Sequence, residues 1–229
     1  MATTMSRLGF RDLPRLMALQ LGDAKHSESA TSTLDVIWVL YDRILRVDPG
    51  HRDDPERDRF LLSKGHGPMA YYAVLAAKGF IDEGTLRTFG SYDSPLGLHP
   101  DRNLVPGVEI SSGSLGHGLA IAVGMALGLR ARRSEARVFC LVGDAELDEG
   151  SNHEAIAFAG RAGLDRLVCV AVDNQSSTHG WPGGIAACFA LEGWSTATVD
   201  GRDHDALESA FSAHDGRPRA IVAVVDPKP

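Results

Sequence analysis

The chain has 229 residues, 44% of them hydrophobic, with 23 basic against 30 acidic residues and a net charge of −7. That is enough apolar chain to fill the core of one α/β domain but not two, and the scattered basic residues form no stripe of the kind that tracks nucleic acid. No apolar run reaches the roughly 20 residues that cross a bilayer, and the arginine- and acid-containing N-terminus has no signal-peptide pattern. The expectation is a soluble, cytoplasmic protein that binds neither nucleic acid nor membrane; of its three cysteines, Cys140 and Cys169 lie inside apolar runs, as packing residues of a reducing compartment do.

In chain order, Leu13, Leu16, Met17 and Leu21 share one helical stripe. Leu34, Ile37, Trp38, Tyr41, Ile44 and Leu45 share a second, which Ser32 or Thr33 is placed to cap. A proline- and charge-rich stretch over 48–59 leads to a short apolar run, Phe60-Leu61-Leu62, and a glycine-punctuated turn over 63–68, whose Pro68 suits the first turn of a new helix. Residues 89–113 hold many turn formers and little periodicity, the mark of a long functional loop. Beyond Gly113 the pattern is regular: a helix over 114–130, a strand over 138–142, a helix over 151–162 and a strand over 167–172. Strands near 195–199 and 220–225 then flank a helix over 205–213. Unalternated apolar strands separated by helices are what a parallel sheet covered on both faces requires. The expected fold is α/β: a doubly wound, mainly parallel sheet with helices on both faces, residues 1–229 forming a single domain with an N-terminal helical segment.

Both central strands end in oxygen donors, Gly143-Asp144 and Asp173-Asn174. A βαβ crossover brings such ends together at the carboxyl edge of the sheet, where open α/β sheets bind ligands. A carboxylate, an amide oxygen and a backbone carbonyl are hard donors suited to Mg²⁺ or Ca²⁺, and Mg²⁺ completes its shell with phosphate oxygens and water. The residues after Asp144 lead into a helix N-terminus, which favours an anion. Taken singly, Asp144 and Asn174 read equally as ordinary strand-end turn residues. Glu149 reads as an acid favouring the dipole of a helix first turn, His179 reads equally as a loop residue or a site residue, and His51, His153, His204 and His214 have no motif around them. Gly113 to Gly118 is not a dinucleotide fingerprint.

The string Gly143-Asp144, Glu149-Gly150, Glu154-Ala155 and Asp173-Asn174 resembles the thiamine diphosphate motif, which runs from a Gly-Asp-Gly to an Asn-containing end past the next strand. Residues 57–67, Leu98-His99-Pro100, residues 106–109 and residues 111–118 are, in the same order, similar to signatures of the N-terminal part of transketolase. The resemblance implies a thiamine diphosphate-binding fold, with thiamine diphosphate and Mg²⁺ (or Ca²⁺) as cofactors. Asp144, Asn174 and the carbonyl of Ser176 would hold the metal. His66, Gly116, Gly143, Asp144, Ala145, Glu149 and Asn174 would form the cofactor site, and His26, His66, His99 and His117 the catalytic set. Ala145 replaces the second glycine of the motif, and the turn around His26 departs from the family's Gly-His-Pro-Gly pattern.

The implied activity is transfer of a two-carbon ketol unit from a ketose phosphate to an aldose. In that family a glutamate from a pyrimidine-binding domain activates the cofactor, so a C-terminal partner subunit in an α2β2 assembly is expected. Two other readings stand beside it: a hybrid that hands the two-carbon unit to a lipoyl or acyl-carrier thiol, and a non-catalytic cofactor-binding subunit.

Overall fold

The computed structural model describes residues 8–20, 27–66 and 68–227. Its strands are β1 (Arg59–Leu62), β2 (Val138–Gly143), β3 (Leu167–Asp173), β4 (Ser195–Asp200) and β5 (Arg219–Val224). They form one sheet in the order β1-β2-β3-β5-β4, with every neighbouring pair parallel. The helices are α1 (Leu13–Ala18), α2 (Ser27–Val39), α3 (Met69–Ala77), α4 (Glu83–Leu86), α5 (His117–Ala131), α6 (Gly150–Ala162), α7 (Ile185–Leu191) and α8 (His204–Ser212).

Because side chains alternate across a strand, β1, β2, β3 and β5 each feed two cores. Phe60, Phe139, Leu141, Val170 and Ile221 point to the face covered by α1, α2, α3 and α8. Leu61, Cys140, Val142, Cys169 and Ala171 point to the opposite face, under α5, α6 and α7. Neither face of β2 meets water, which is why its sequence is apolar without alternation. The doubly wound arrangement expected from the sequence is present, and the sheet is parallel throughout.

Several expected boundaries shift. Helix α2 starts at Ser27, ahead of its apolar stripe, so Ser32 and Thr33 are buried within it rather than capping it; it closes in a π-helical turn, Leu40–Ile44. The Phe60-Leu61-Leu62 run is strand β1, too short to announce itself by pattern. Helix α5 begins at His117, because Gly116, at φ +83°, ends the preceding loop in a left-handed turn that glycine adopts without strain. The short α7 carries no periodic signal long enough to read. Among the described residues, no helix is long and apolar enough to cross a membrane.

Candidate functional site

The site is built at the carboxyl edge of the sheet, where β1, β2 and β3 lie side by side. β2 and β3 run in register, Gly143 opposite Val172, so the residues after them emerge together. Asp144 is 2% exposed, and its carboxylate accepts hydrogen bonds from the N–H of Ser176 (2.5 Å), the hydroxyl of Ser176 (2.6 Å), the N–H of Ser177 (3.1 Å) and the N–H of Ala145 (2.9 Å). Gln175, at φ +57°, turns the chain so that these donors reach back to Asp144. Asn174 is 4% exposed, and its side-chain oxygen has no hydrogen-bond partner. A buried acceptor left unbonded costs about 1–3 kcal/mol, and a hard cation is one group that satisfies such an oxygen.

Asp144 and Ser176 are therefore in direct contact through the N–H and hydroxyl of Ser176, and Asn174 lies two residues before Ser176. Among the described residues, no group of three or more His, Cys, Asp or Glu side chains could hold a metal. A cation here draws on one carboxylate, one amide oxygen and backbone, which suits Mg²⁺ completing its shell with phosphate and water. The donor set fits the diphosphate-bridging ion.

Between Asp144 and α6 the chain makes a 3-10 turn, Ala145–Asp148, instead of entering the helix directly. It positions Glu146, a residue that motif reasoning passes over. Glu146 is 1% exposed, and its carboxylate accepts from the hydroxyl of Ser63, from the N–H of Gly116 (3.0 Å) and from the N–H of Gly143 (3.3 Å). Burial pushes its pKa upward, opposed by these three hydrogen bonds and by the nearby charge of Lys64. The one sequence signal for it is an acid placed between Ala145 and Leu147, directly after the strand.

Of the remaining expected residues, those that are described lie around the same edge. The His66 and His99 rings meet edge to face, with centroids 5.4 Å apart. A Cβ on Gly113 would lie 2.9 Å from Cδ2 of His99, and one on Gly65 2.8 Å from the N of Gly113, so three loop segments close into one wall. His117 is exposed on the first turn of α5. Gly116 packs against Glu149, the residue preceding α6, and its carbonyl accepts from the hydroxyl of Ser151 (2.9 Å). Gly118 is tighter still: a Cβ there would sit 2.3 Å from Cβ of Ser63. Glu149 and Glu154 are both exposed, and His26 lies outside the described residues.

Two further contacts hold the loop after β3. Asp148 accepts from the hydroxyl of Ser177 (3.0 and 3.1 Å), and the His153 ring stacks on Trp181 at 4.6 Å and 18°. His153 lacked motif support because its partner lies on a different element. His204, at the start of α8 beyond the end of β4, bonds Asp35 (2.8 Å) and packs on Phe10.

Residues 15–223 match the family described as "Transketolase, thiamine diphosphate binding domain". The chain is 54% identical over 222 residues to a protein of Rhodococcoides fascians named "Ferredoxin fas2", covering 96% of this chain and 73% of that one. It is 36% identical over 191 residues to "6-deoxy-6-sulfo-D-fructose transketolase subunit SqwG" of a Clostridium species, covering 81% and 70%. Against the "Transketolase" of Cereibacter sphaeroides it is 34% identical over 221 residues, spanning 89% of this chain and 34% of that longer one. Among solved structures, transketolase from Leishmania mexicana shares the fold with a TM-score of 0.79 over 96% of this chain and 37% of that chain, at 24% identity.

Proposed function

Since this chain belongs to the transketolase family, as its thiamine diphosphate-binding part, we propose that it holds thiamine diphosphate through a divalent cation and, with a partner subunit, transfers a two-carbon ketol unit from a ketose phosphate to an aldose. The observation that carries the site assignment is the buried, unpartnered amide oxygen of Asn174, two residues before the Ser176 that bonds the Asp144 carboxylate. In this reading Asp144, Asn174 and the carbonyl of Ser176 bind Mg²⁺ (or Ca²⁺), and all 229 residues form one diphosphate-binding domain. Gly116, Gly143, Ala145 and Glu149 form the cofactor cradle, and His66 faces the diphosphate.

Thiamine diphosphate supplies the nucleophilic carbon and the electron sink. The chain's own residues bind and orient. His26, His99 and His117 present donors to sugar hydroxyls and take part in the proton transfers. His99 lies on a loop and His117 on the first turn of α5, positions from which each faces a substrate while the scaffold behind it stays fixed.

The partner follows from the relatives. The Clostridium relative is named as one subunit of a transketolase, while the Cereibacter transketolase extends far beyond the matched part. The reading is a pyrimidine-binding subunit that supplies the activating glutamate in an α2β2 assembly. The cytoplasmic location rests on three cysteines that all stay unpaired.

The test is mass-spectrometric detection of a new ketose when the chain, its partner subunit, Mg²⁺, thiamine diphosphate, a ketose phosphate and an aldose are combined. Discharge of the two-carbon unit only to a lipoyl or acyl-carrier thiol would replace the sugar acceptor, and no turnover across donors with the cofactor bound would reduce the chain to a binding subunit.

A further inference from the structure

We propose that Glu146, acting with Ser63, is a positioning residue for thiamine diphosphate: one buried carboxylate ties the loop after β1 and the loop before α5 to the end of β2, where the cofactor cradle lies. The inference rests on the cofactor reading above and deepens it.

The carboxylate spans the site. One oxygen accepts from the Ser63 hydroxyl after β1 and from the N–H of Gly116 before α5; the other accepts from the N–H of Gly143 at the end of β2. Ser63 extends the link, since its oxygen also accepts from the N–H of Gly118 (3.1 Å). Glu146 is itself fixed from behind, its backbone carbonyl accepting from the side-chain amide of buried Asn152 (2.6 Å). Lys64 passes over Gly143, where a Cβ would lie 3.2 Å from its Cδ, and donates to the hydroxyl of Ser32 (2.8 Å). The carboxylate thus sits near a buried cation and within a set of donors.

Burying a carboxylate is unfavourable unless its partners are well placed, and no step assigned to the chain uses this one as an acid or base. Its geometry serves spacing. It also occupies the N–H groups of Gly116 and Gly143, so it acts by holding loops in place rather than by touching phosphate. A side chain that fixes the supporting loops sets the precision of a site without contacting the ligand.

The experiment is calorimetric titration of Mg²⁺–thiamine diphosphate into the assembly of this chain with its partner subunit, for the unsubstituted protein, S63A, E146Q and the double variant, alongside kcat and melting temperature. Each single variant is expected to raise the cofactor Kd about tenfold. The double variant is expected to be no weaker than the weaker single, because both remove one link. At saturating cofactor, kcat is expected to return to within about twofold of the unsubstituted enzyme, the split between binding and turnover that positioning predicts. Unchanged Kd with a lowered melting temperature, or losses that add, would overturn the inference and leave the functional reading intact. If the unsubstituted assembly takes up no cofactor, both fail. Should E146Q not fold, S63A alone decides, since it removes only a hydroxyl.

Discussion

Asp144, at the end of one strand, accepts hydrogen bonds from both the N–H and the hydroxyl of Ser176, which lies beyond the end of the next. The two residues are distant in sequence, and the parallel register of β2 and β3 brings them together. Asp144→Ala should therefore act in two places. Cofactor affinity should fall by about a hundredfold or more, the scale of about 3 kcal/mol expected for a lost charged ligand. The N–H groups of Ser176 and Ser177 should exchange faster in the cofactor-free protein. Calorimetry reads the first effect and hydrogen exchange the second; an unchanged affinity would remove Asp144 from the metal site.

The stacked His153 and Trp181 rings bridge α6 and the loop after β3. Aromatic pairs contribute about 0.5–1.5 kcal/mol beyond the area they bury. Trp181→Ala should raise hydrogen exchange across residues 177–183 while the transition midpoint in urea moves little. Unchanged exchange in the variant would mean that the hydrogen bonds to Asp144 and Asp148 secure the loop without the stack.

At the opposite edge of the sheet, Asp58 is fully buried and accepts from the N–H groups of Arg46 (3.0 Å) and Arg137 (2.8 Å) and from the guanidinium of Arg46 (3.0 Å). Asp58→Ala removes these hydrogen bonds from part-buried donors, and should cost about 1–3 kcal/mol. Denaturant unfolding checks this. Cofactor affinity should be unaffected, since the residue lies at the far end of β1.

Burial, with a smaller contribution from the charge of Glu192, pushes the thiol of Cys188 up to about 11 from its ordinary 9.0. Below pH 9 the thiol is protonated in both the folded and unfolded chain, so it contributes no pH dependence there. As pH rises from 9 toward 11 the unfolded chain releases the proton first, and stability should decline. Cys188→Ser should lessen that alkaline slope without removing it, since burial also raises the thiols of Cys140 and Cys169. At pH 8 Cys188 should alkylate more slowly than a free thiol, and the buried Cys140 and Cys169 should label only after unfolding.

The central strands are legible in the sequence because burial on both faces writes an uninterrupted apolar run, as in residues 138–142. Strand β1 and helix α7 are not, since four and seven residues carry too little periodicity. The positions of Asp144 and Asn174 follow from local pattern, each closing such a run. Glu146 does not, because what defines it is its set of partners on two distant loops, Ser63 and Gly116. The His153 and Trp181 pair escapes for the same reason.

The contact between Gly118 and Ser63 bears on how this scaffold tolerates change. With only 2.3 Å between a Cβ at Gly118 and that of Ser63, even a methyl group acts as a wedge that parts α5 from the end of β1. Substitutions are better tolerated at exposed positions outside this seam, whose closeness depends on a side chain being absent.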